Sequence, residues 1–494
     1  MPHEPPSLPR RLAVAMLLSL AATRANAAEG EPRIVNGLPA PSDYASVGAL
    51  LEGADPTSAR AWCTGTLIGC SAFLTAAHCV CEGTGAQCQP PTAPDPSRYH
   101  VYLPHAGIVP VASIAVRPDF AFPVGDVAIV KLAQPVNGIR PSAIDTTAAP
   151  PDGTAGTIVG FGRSSGSTFD YGLERFGAVT TGACPPLVSP TTSVCWTFDA
   201  PLGPAGTDSN TCNGDSGGPL FVDLGAGPVV AGVTSGGTSS DCEPTDQSYD
   251  ANVFPYRSWI ASQVGADLGA GACGALPPIG DAATTTIDLP GTLSSSAPEG
   301  RASFDVPAGT TLLRVAMNAL DDGVANFDLY VKPGEPPTPA SFACARTGTG
   351  QFAVCDLPDP AAGTWHVLVE RVTGGGAYQL TATRFGTSAL DLELGSTTTS
   401  VAAGESLPFT LAIDNRTAAD QPFSVFALVA LPDGTQTLLI PATAAGVPRG
   451  ARAESLFQLA LPPGAPTGAW TIRAGLWQAG AGFVDTAALP FEVR

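Results

Sequence analysis

The sequence predicts an all-β protein of several domains, and three observations carry that prediction. Glycine (56) and proline (49) exceed average usage across the 494 residues, which favours turn-rich β structure over helix. Between residues 34 and 265 the chain breaks into short apolar runs separated by Gly, Pro, Ser and Asp. Examples are Val47 to Leu51, Thr66 to Ile68, Ile108 to Val116, Val127 to Leu132, Pro219 to Val222 and Val229 to Val233. Such closely spaced runs are the pattern of a sandwich or barrel. Beyond residue 285, alternating stretches such as Phe327 to Val331, Trp365 to Val369 and Tyr378 to Ala382 repeat the strand signature with period 2.

The elements follow in order. Residues 1–27 read as a signal peptide: Arg10 and Arg11 form a basic start, Leu12 to Ala22 an apolar core, and Ala25-Asn26-Ala27 a small-residue cleavage site. Residues 28–33 form a short polar propeptide ending in Arg33, followed by Ile34-Val35-Asn36-Gly37. Tyr256 to Val264 is the best helix candidate of the first unit, with Tyr256, Trp259, Ile260 and Val264 on one face. Residues 266–285 read as a Gly/Ala/Pro/Thr-rich linker, 286–386 as a second β-rich unit and 387–494 as a third. The third carries strand-like runs between Pro-Asp-Gly and Pro-Pro-Gly turns and resembles an immunoglobulin-like sandwich without cysteines.

Composition narrows the function. The net charge of −20 argues against nucleic acid or an anionic membrane surface as partner. Twelve cysteines behind an export signal imply disulfides and a secreted protein, with bacterial export expected. The Cys and His spacings match no zinc pattern, so neither a metal nor a cofactor is expected.

Chemistry concentrates in Cys212-Asn213-Gly214-Asp215-Ser216-Gly217-Gly218-Pro219. A serine hydroxyl needs a base and a site for the developing oxyanion. Glycines let the backbone turn N–H groups toward one point. The same dipeptides also make ordinary surface turns, so the rest of the chain must decide. His78, in Leu74-Thr75-Ala76-Ala77-His78-Cys79, is the candidate base, whereas His100, His105 and His366 read as structural. Asp126 precedes the apolar run 127–132; a carboxylate at the mouth of a buried strand needs a partner, and an imidazole serves.

Ile34 to Gly37, Thr75 to Cys79, Asp126 to Ile129 and Gly214 to Pro219 together resemble the chymotrypsin-like (trypsin-like) serine endopeptidases, in that family's His, Asp, Ser order. The resemblance covers 34–265 and implies a double six-stranded β-barrel with a short C-terminal helix, acting on protein or peptide substrates. It implies Ser216 as nucleophile, His78 as general base and acid, Asp126 as its orienting carboxylate, and the Gly214 and Ser216 amides as oxyanion hole. It also implies activation by a protease cutting after Arg33, which frees the Ile34 amine to pair with Asp215. The implied disulfides are Cys63–Cys79, Cys184–Cys195 and Cys212–Cys242, while Cys344–Cys355 is the natural local pair of the second unit. Cys70, Cys81, Cys88 and Cys273 remain, with three pairings open.

The chain departs from the family where specificity is set. Asn210 stands at the pocket-floor position, so a basic substrate side chain loses its usual counter-charge. Asp208, Glu243 and Asp250 are the acids available to compensate. Ser235 and Gly236 fall on the substrate-docking strand, where Ser235 in place of an aromatic is expected to widen the pocket. The second unit resembles the bacterial pre-peptidase C-terminal domain, through Phe327 to Val331, Cys344 with Cys355, Gly363 to Val367 and Tyr378 to Ala382. Its Asp321, Asp322, Asn326 and Asp328 read as turn residues before calcium ligands. The competing function is a secreted binding protein or adhesin on an inactive protease scaffold; dead homologues usually lose a triad member, and this chain keeps all three.

Overall fold

The computed structural model describes residues 34–40, 43–199, 203–271, 273–274, 276–280, 284–307, 309–386, 390–396, 398–415, 420–448, 451–478 and 482–494. The signal peptide, the propeptide and Arg33 lie outside the described residues.

The first unit holds thirteen strands and one α-helix among its described residues. The strands are β1 Leu38–Pro39, β2 Val47–Glu52, β3 Arg60–Gly69, β4 Ala72–Thr75, β5 Tyr99–Leu103, β6 Gly107–Val116, β7 Ala128–Leu132, β8 Ala155–Gly160, β9 Arg175–Thr180, β10 Ser193–Thr197, β11 Pro219–Asp223, β12 Pro228–Gly237 and β13 Gln247–Asn252. Strands β2, β3, β4, β7, β6 and β5 close into a barrel in that order. Closure explains the near-continuous burial of β2, β4, β5 and β7, whose inward residues fill the interior. The second sheet runs β1-β9-β8-β11-β12-β13-β10. The segment just after β9 meets the edge strand β10 through a bridge, Gly182 to Cys195, beside the Cys184–Cys195 disulfide.

Helix α1, Val253–Val264, packs on β7 and β12 and buries Val253, Tyr256, Ile260 and Val264 at helical spacing. The Asn252 side chain accepts from the Phe254 amide, which caps its first turn, and Gly265 at φ +67° ends it. The Tyr256 hydroxyl accepts from the Gly125 amide at 3.0 Å, so the helix holds the loop that leads into Asp126.

The stretch read as a linker is tied to the first barrel. Cys273 is bonded to Cys70, and Asp267 accepts from the Cys70 and Ser71 amides at 2.8 and 2.9 Å. Cys81 is bonded to Cys88, which settles the pairings left open by the sequence.

The second unit is a sandwich. One face pairs Thr284–Asp288, Gly376–Gly386, Thr310–Ala319 and Phe352–Pro358; the other pairs Glu299–Val306, Gly363–Thr373, Asn326–Pro333 and Cys344–Arg346. Phe304, Leu313, Phe327, Trp365 and Leu380 share its core. The third unit is also two sheets, one with Leu390–Gly395, Ser406–Asn415 and Arg452–Ala460, the other with Ser400–Val401, Gly482–Val493, Gly468–Gln478, Gln421–Ala430 and Gln436–Val447.

The second unit docks on the first through a core-like contact. Ala316 and Phe352 join the buried cluster of the first barrel, and the Phe352 ring lies 5.0 Å from that of Tyr102. Several polar groups buried there are paired. Gln379 accepts from the Glu174 amide and donates to the Glu174 carbonyl, both at 2.8 Å, and Asn318 Nδ2 donates to the Gly172 carbonyl at 2.8 Å.

Candidate active site

Asp126 is fully buried at the mouth of β7. Its Oδ1 accepts from the His78 backbone amide at 2.9 Å. Its Oδ2 lies 2.7 Å from His78 Nδ1 and accepts from the Ser235 hydroxyl at 2.6 Å. A carboxylate with three such partners is held in place and repays its desolvation through charge-assisted bonds. It fixes the imidazole so that Nδ1 faces inward and Nε2 faces the cleft. His78 sits in the short helical turn Ala77–Cys79, where the Cys63–Cys79 disulfide ties the turn to β3.

Ser216 lines the same clefts as His78, on the loop before β11. Gly217 adopts φ +85°, and a Cβ there would come within 2.1 Å of Thr75 Oγ1, so the loop closes tightly on the first barrel. Thr64 fastens the loop twice: its amide donates to the Ser216 carbonyl and its hydroxyl to the Gly214 carbonyl, each at 2.9 Å. No hydrogen bond joins Ser216 to His78 among the described residues; such bonds commonly tighten only when substrate binds.

Asp215 is buried beneath this loop and accepts from the Gly162 and Cys212 amides, each at 2.8 Å. Burial pushes its carboxyl up to about 7 even so. Ile34 is buried in the core of the second sheet, and Val35 bridges Asn210.

The pocket beside Ser216 is lined by Cys212, Ser235, Gly236, Gly237 and Asp246, with Phe122 at its rim. Asn210 lies fully buried beneath it. Its Nδ2 donates to Asp246 Oδ2 at 3.0 Å and its Oδ1 accepts from the Ser248 hydroxyl at 2.5 Å. Asp246 Oδ1 accepts from the Thr238 amide and hydroxyl and the Ser239 amide, at 2.8, 2.9 and 2.8 Å. The pocket base therefore holds a carboxylate that the sequence reading overlooked. Asp208, Glu243 and Asp250, the acids offered by the sequence, do not line the pocket.

Ser235 and Gly236 both line the pocket, and the Ser235 hydroxyl turns to Asp126, a contact the sequence did not suggest. Phe122, edge-on to His78 at 5.7 Å between ring centres, was also missed, since an exposed aromatic in a loop carries no periodic signal. The remaining histidines serve packing where their contacts are described: His100 Nδ1 lies 3.1 Å from the Gly53 carbonyl and His105 Nδ1 2.9 Å from the Thr383 hydroxyl. Among the described residues, the cluster with metal-ligand types is Cys63, His78 and Cys79, and its two sulfurs are joined to each other.

The fold and this site resemble those of a trypsin-like serine protease domain, here followed by further β units. Residues 34–260 match the trypsin family model, and residues 301–371 match the bacterial pre-peptidase C-terminal domain. The chain is 32% identical to serine protease 56 of Homo sapiens over 264 residues, 49% of this chain and 40% of that protein. It is 26% identical to trypsin iota of Drosophila melanogaster over 248 residues, 46% of this chain and 92% of that protein. It is also 26% identical to the phenoloxidase-activating enzyme of Bombyx mori over 274 residues, 47% of this chain and 60% of that protein.

Proposed function

We propose that this protein is a secreted serine endopeptidase that hydrolyses peptide bonds of proteins through an acyl-enzyme on Ser216. The observation that carries the reading is the buried Asp126 carboxylate gripping His78 at both its backbone and ring nitrogens, beside a cleft shared with Ser216. Ser216 Oγ attacks the scissile carbonyl while His78 Nε2 takes its proton. The tetrahedral oxyanion receives the Gly214 and Ser216 amides, each such donor being worth about 3 kcal/mol. His78 then gives the proton to the leaving amine, and the C–N bond breaks. Water, deprotonated by His78, releases the acyl group and restores Ser216. Asp126 holds the tautomer and stabilises the imidazolium throughout.

Activation follows cleavage after Arg33. The freed Ile34 amine would pair with Asp215, whose raised pKa marks a buried carboxylate short of positive charge. An ammonium there holds Asp215 ionised and fixes the oxyanion loop. The Asp246 carboxylate behind the pocket favours a cationic substrate side chain, offsetting the neutral Asn210. The Arg33 bond then suits the enzyme's own pocket as well as that of a separate activating protease.

Six disulfides among the described residues support an extracellular working environment, with bacterial export as its route. We read the domains as protease 34–265, tether 266–285 and two β-sandwiches at 286–386 and 387–494. The test is casein hydrolysis by protein cleaved after Arg33, compared with Ser216→Ala. Activity confined to simple esters would replace the endopeptidase reading with an esterase, and activity surviving in Ser216→Ala would remove the mechanism.

A further inference from the structure

Two clefts meet at the reaction centre and share His78, Asn213 and Ser216. One is the Asp246 pocket, beside the Cys212–Cys242 disulfide. The other, about 530 Å³, borders Cys63 of the Cys63–Cys79 disulfide, and its walls come from two domains. Trp62, Phe169 and Tyr171 belong to the protease unit, whereas Asp321, Asp322 and Gly323 belong to the second unit. The acyl half of a substrate places its side chain in the Asp246 pocket. The chain beyond the scissile bond leaves on the opposite side of Ser216, and that side is the two-domain cleft.

The loop at 321–323 is anchored across this cleft. The buried Asp321 carboxylate accepts from Arg60 Nε and the Ala61 amide, each at 2.9 Å, and forms an ion pair with Arg60 Nη2. The Asp321 amide donates to the Tyr171 carbonyl at 2.9 Å. Asp321 thus binds both protease walls of the cleft, at Ala61 next to Trp62 and at Tyr171. Asp322 Oδ1 accepts from the Val324 and Ala325 amides at 2.8 and 2.7 Å, which sets the shape of the turn.

Most carboxylates of this wall already have a cation beside them. Arg60 is matched by Asp321, and the Glu52 carboxylate at the cleft edge is matched by Arg98. The nearby Arg163 guanidinium stacks over the Phe169 and Tyr171 rings, 4.0 and 4.7 Å from their centres. Asp322 is exposed and lines the cleft with no cation paired to it among the described residues.

We propose that the second unit builds the leaving-group half of the substrate cleft, and that Asp322 selects substrates carrying Arg or Lys within the first three residues after the scissile bond. The unit is then part of the substrate-binding surface. This rests on the endopeptidase reading. The expected preference is about two- to five-fold, the range of a solvent-exposed ion pair, and it fades as salt rises.

The test uses full-length protein cleaved after Arg33 and internally quenched peptides that carry Arg or Glu at each of the first three leaving-side positions. An aryl amide with no residue beyond the scissile bond is run alongside. Wild type should give a higher kcat/KM for Arg than for Glu at one of these positions at low salt. Asp322→Lys should invert that ratio, and Asp322→Asn, which keeps the turn acceptor, should bring it near one. Hydrolysis of the aryl amide with an Arg-to-Glu ratio unchanged across the three proteins overturns the subsite alone. Failure to hydrolyse the aryl amide and the peptides overturns the endopeptidase reading, and the subsite with it.

Discussion

Ser235 and His78 share one oxygen of Asp126: the Ser235 hydroxyl donates to Oδ2 at 2.6 Å, and His78 Nδ1 lies 2.7 Å from the same atom. The strand that flanks the substrate pocket is thereby joined to the residue that orients the base. Ser235→Ala removes one charge-assisted donor from a buried carboxylate, a loss of about 1.5–3 kcal/mol. We expect kcat/KM on a peptide substrate to fall roughly 10- to 100-fold. Asp126→Asn, which also disturbs the tautomer of His78, should cost roughly 10⁴-fold in kcat. Steady-state kinetics on folded variants checks both, and full activity in Ser235→Ala would remove the positioning role.

We propose that the Asp246 carboxylate sets substrate preference. Asp246→Ser should abolish any advantage of Arg and Lys over neutral residues at the acyl position of a peptide library. Asn210→Asp should strengthen that advantage, because it adds charge at the pocket floor itself. A library profile that is apolar-selective in wild type and unchanged in Asp246→Ser would contradict the assignment.

Three buried carboxyls make the uncleaved chain sensitive to pH. Burial pushes Asp215 up to about 7 and raises Glu174 and Asp250 well above their ordinary values. Between an unfolded value near 4 and the raised folded value, the native state binds more protons than the unfolded chain, so stability falls as pH rises. For Asp215 alone the loss across that window is roughly 4 kcal/mol. Exposed Asp55 and Asp95, held down by bonds from Thr57 and Ser97, act oppositely and lose their contribution only below about pH 4. Tm of the Ser216→Ala precursor should therefore be higher at pH 5 than at pH 8. Cleavage after Arg33 should reduce the difference, since an Ile34 ammonium would bring Asp215 back down. Equal or higher Tm at pH 8 in the precursor would contradict this.

The protease and second units should unfold together, since their shared contact contains Phe352 packed on Tyr102 and Gln379 bonded to both backbone groups of Glu174. Gln379→Leu leaves those two groups unpaired, at a cost of about 1–3 kcal/mol each. Differential scanning calorimetry should show one transition for these two units in wild type and separated transitions in the variant.

The sequence made the candidate reacting groups legible because each sits in a contiguous stretch whose chemistry needs neighbours in sequence, such as Gly214 to Gly218. It left the pocket illegible because Asn210 and Asp246 meet only through the fold, 36 residues apart. The Ser235 contact with Asp126 was illegible for a related reason. The register shifts between Thr234 and Gly236 where β12 pairs β13, and an alternation argument cannot anticipate which side chain then turns inward. Strand patterns gave the sandwiches but not their docking. A polar pair such as Gln379 with Glu174 looks like any surface Gln and Glu until the Gln379 side chain meets the Glu174 backbone.

Active-site labelling tests the activation of Ser216 most directly. Full-length protein cleaved after Arg33 is treated with a fluorophosphonate probe and digested for mass spectrometry. Stoichiometric modification of Ser216 is expected, lost in Ser216→Ala and strongly slowed in His78→Ala. Folded, correctly cleaved protein that shows no Ser216-dependent labelling would contradict it and leave an inactive protease scaffold as the reading.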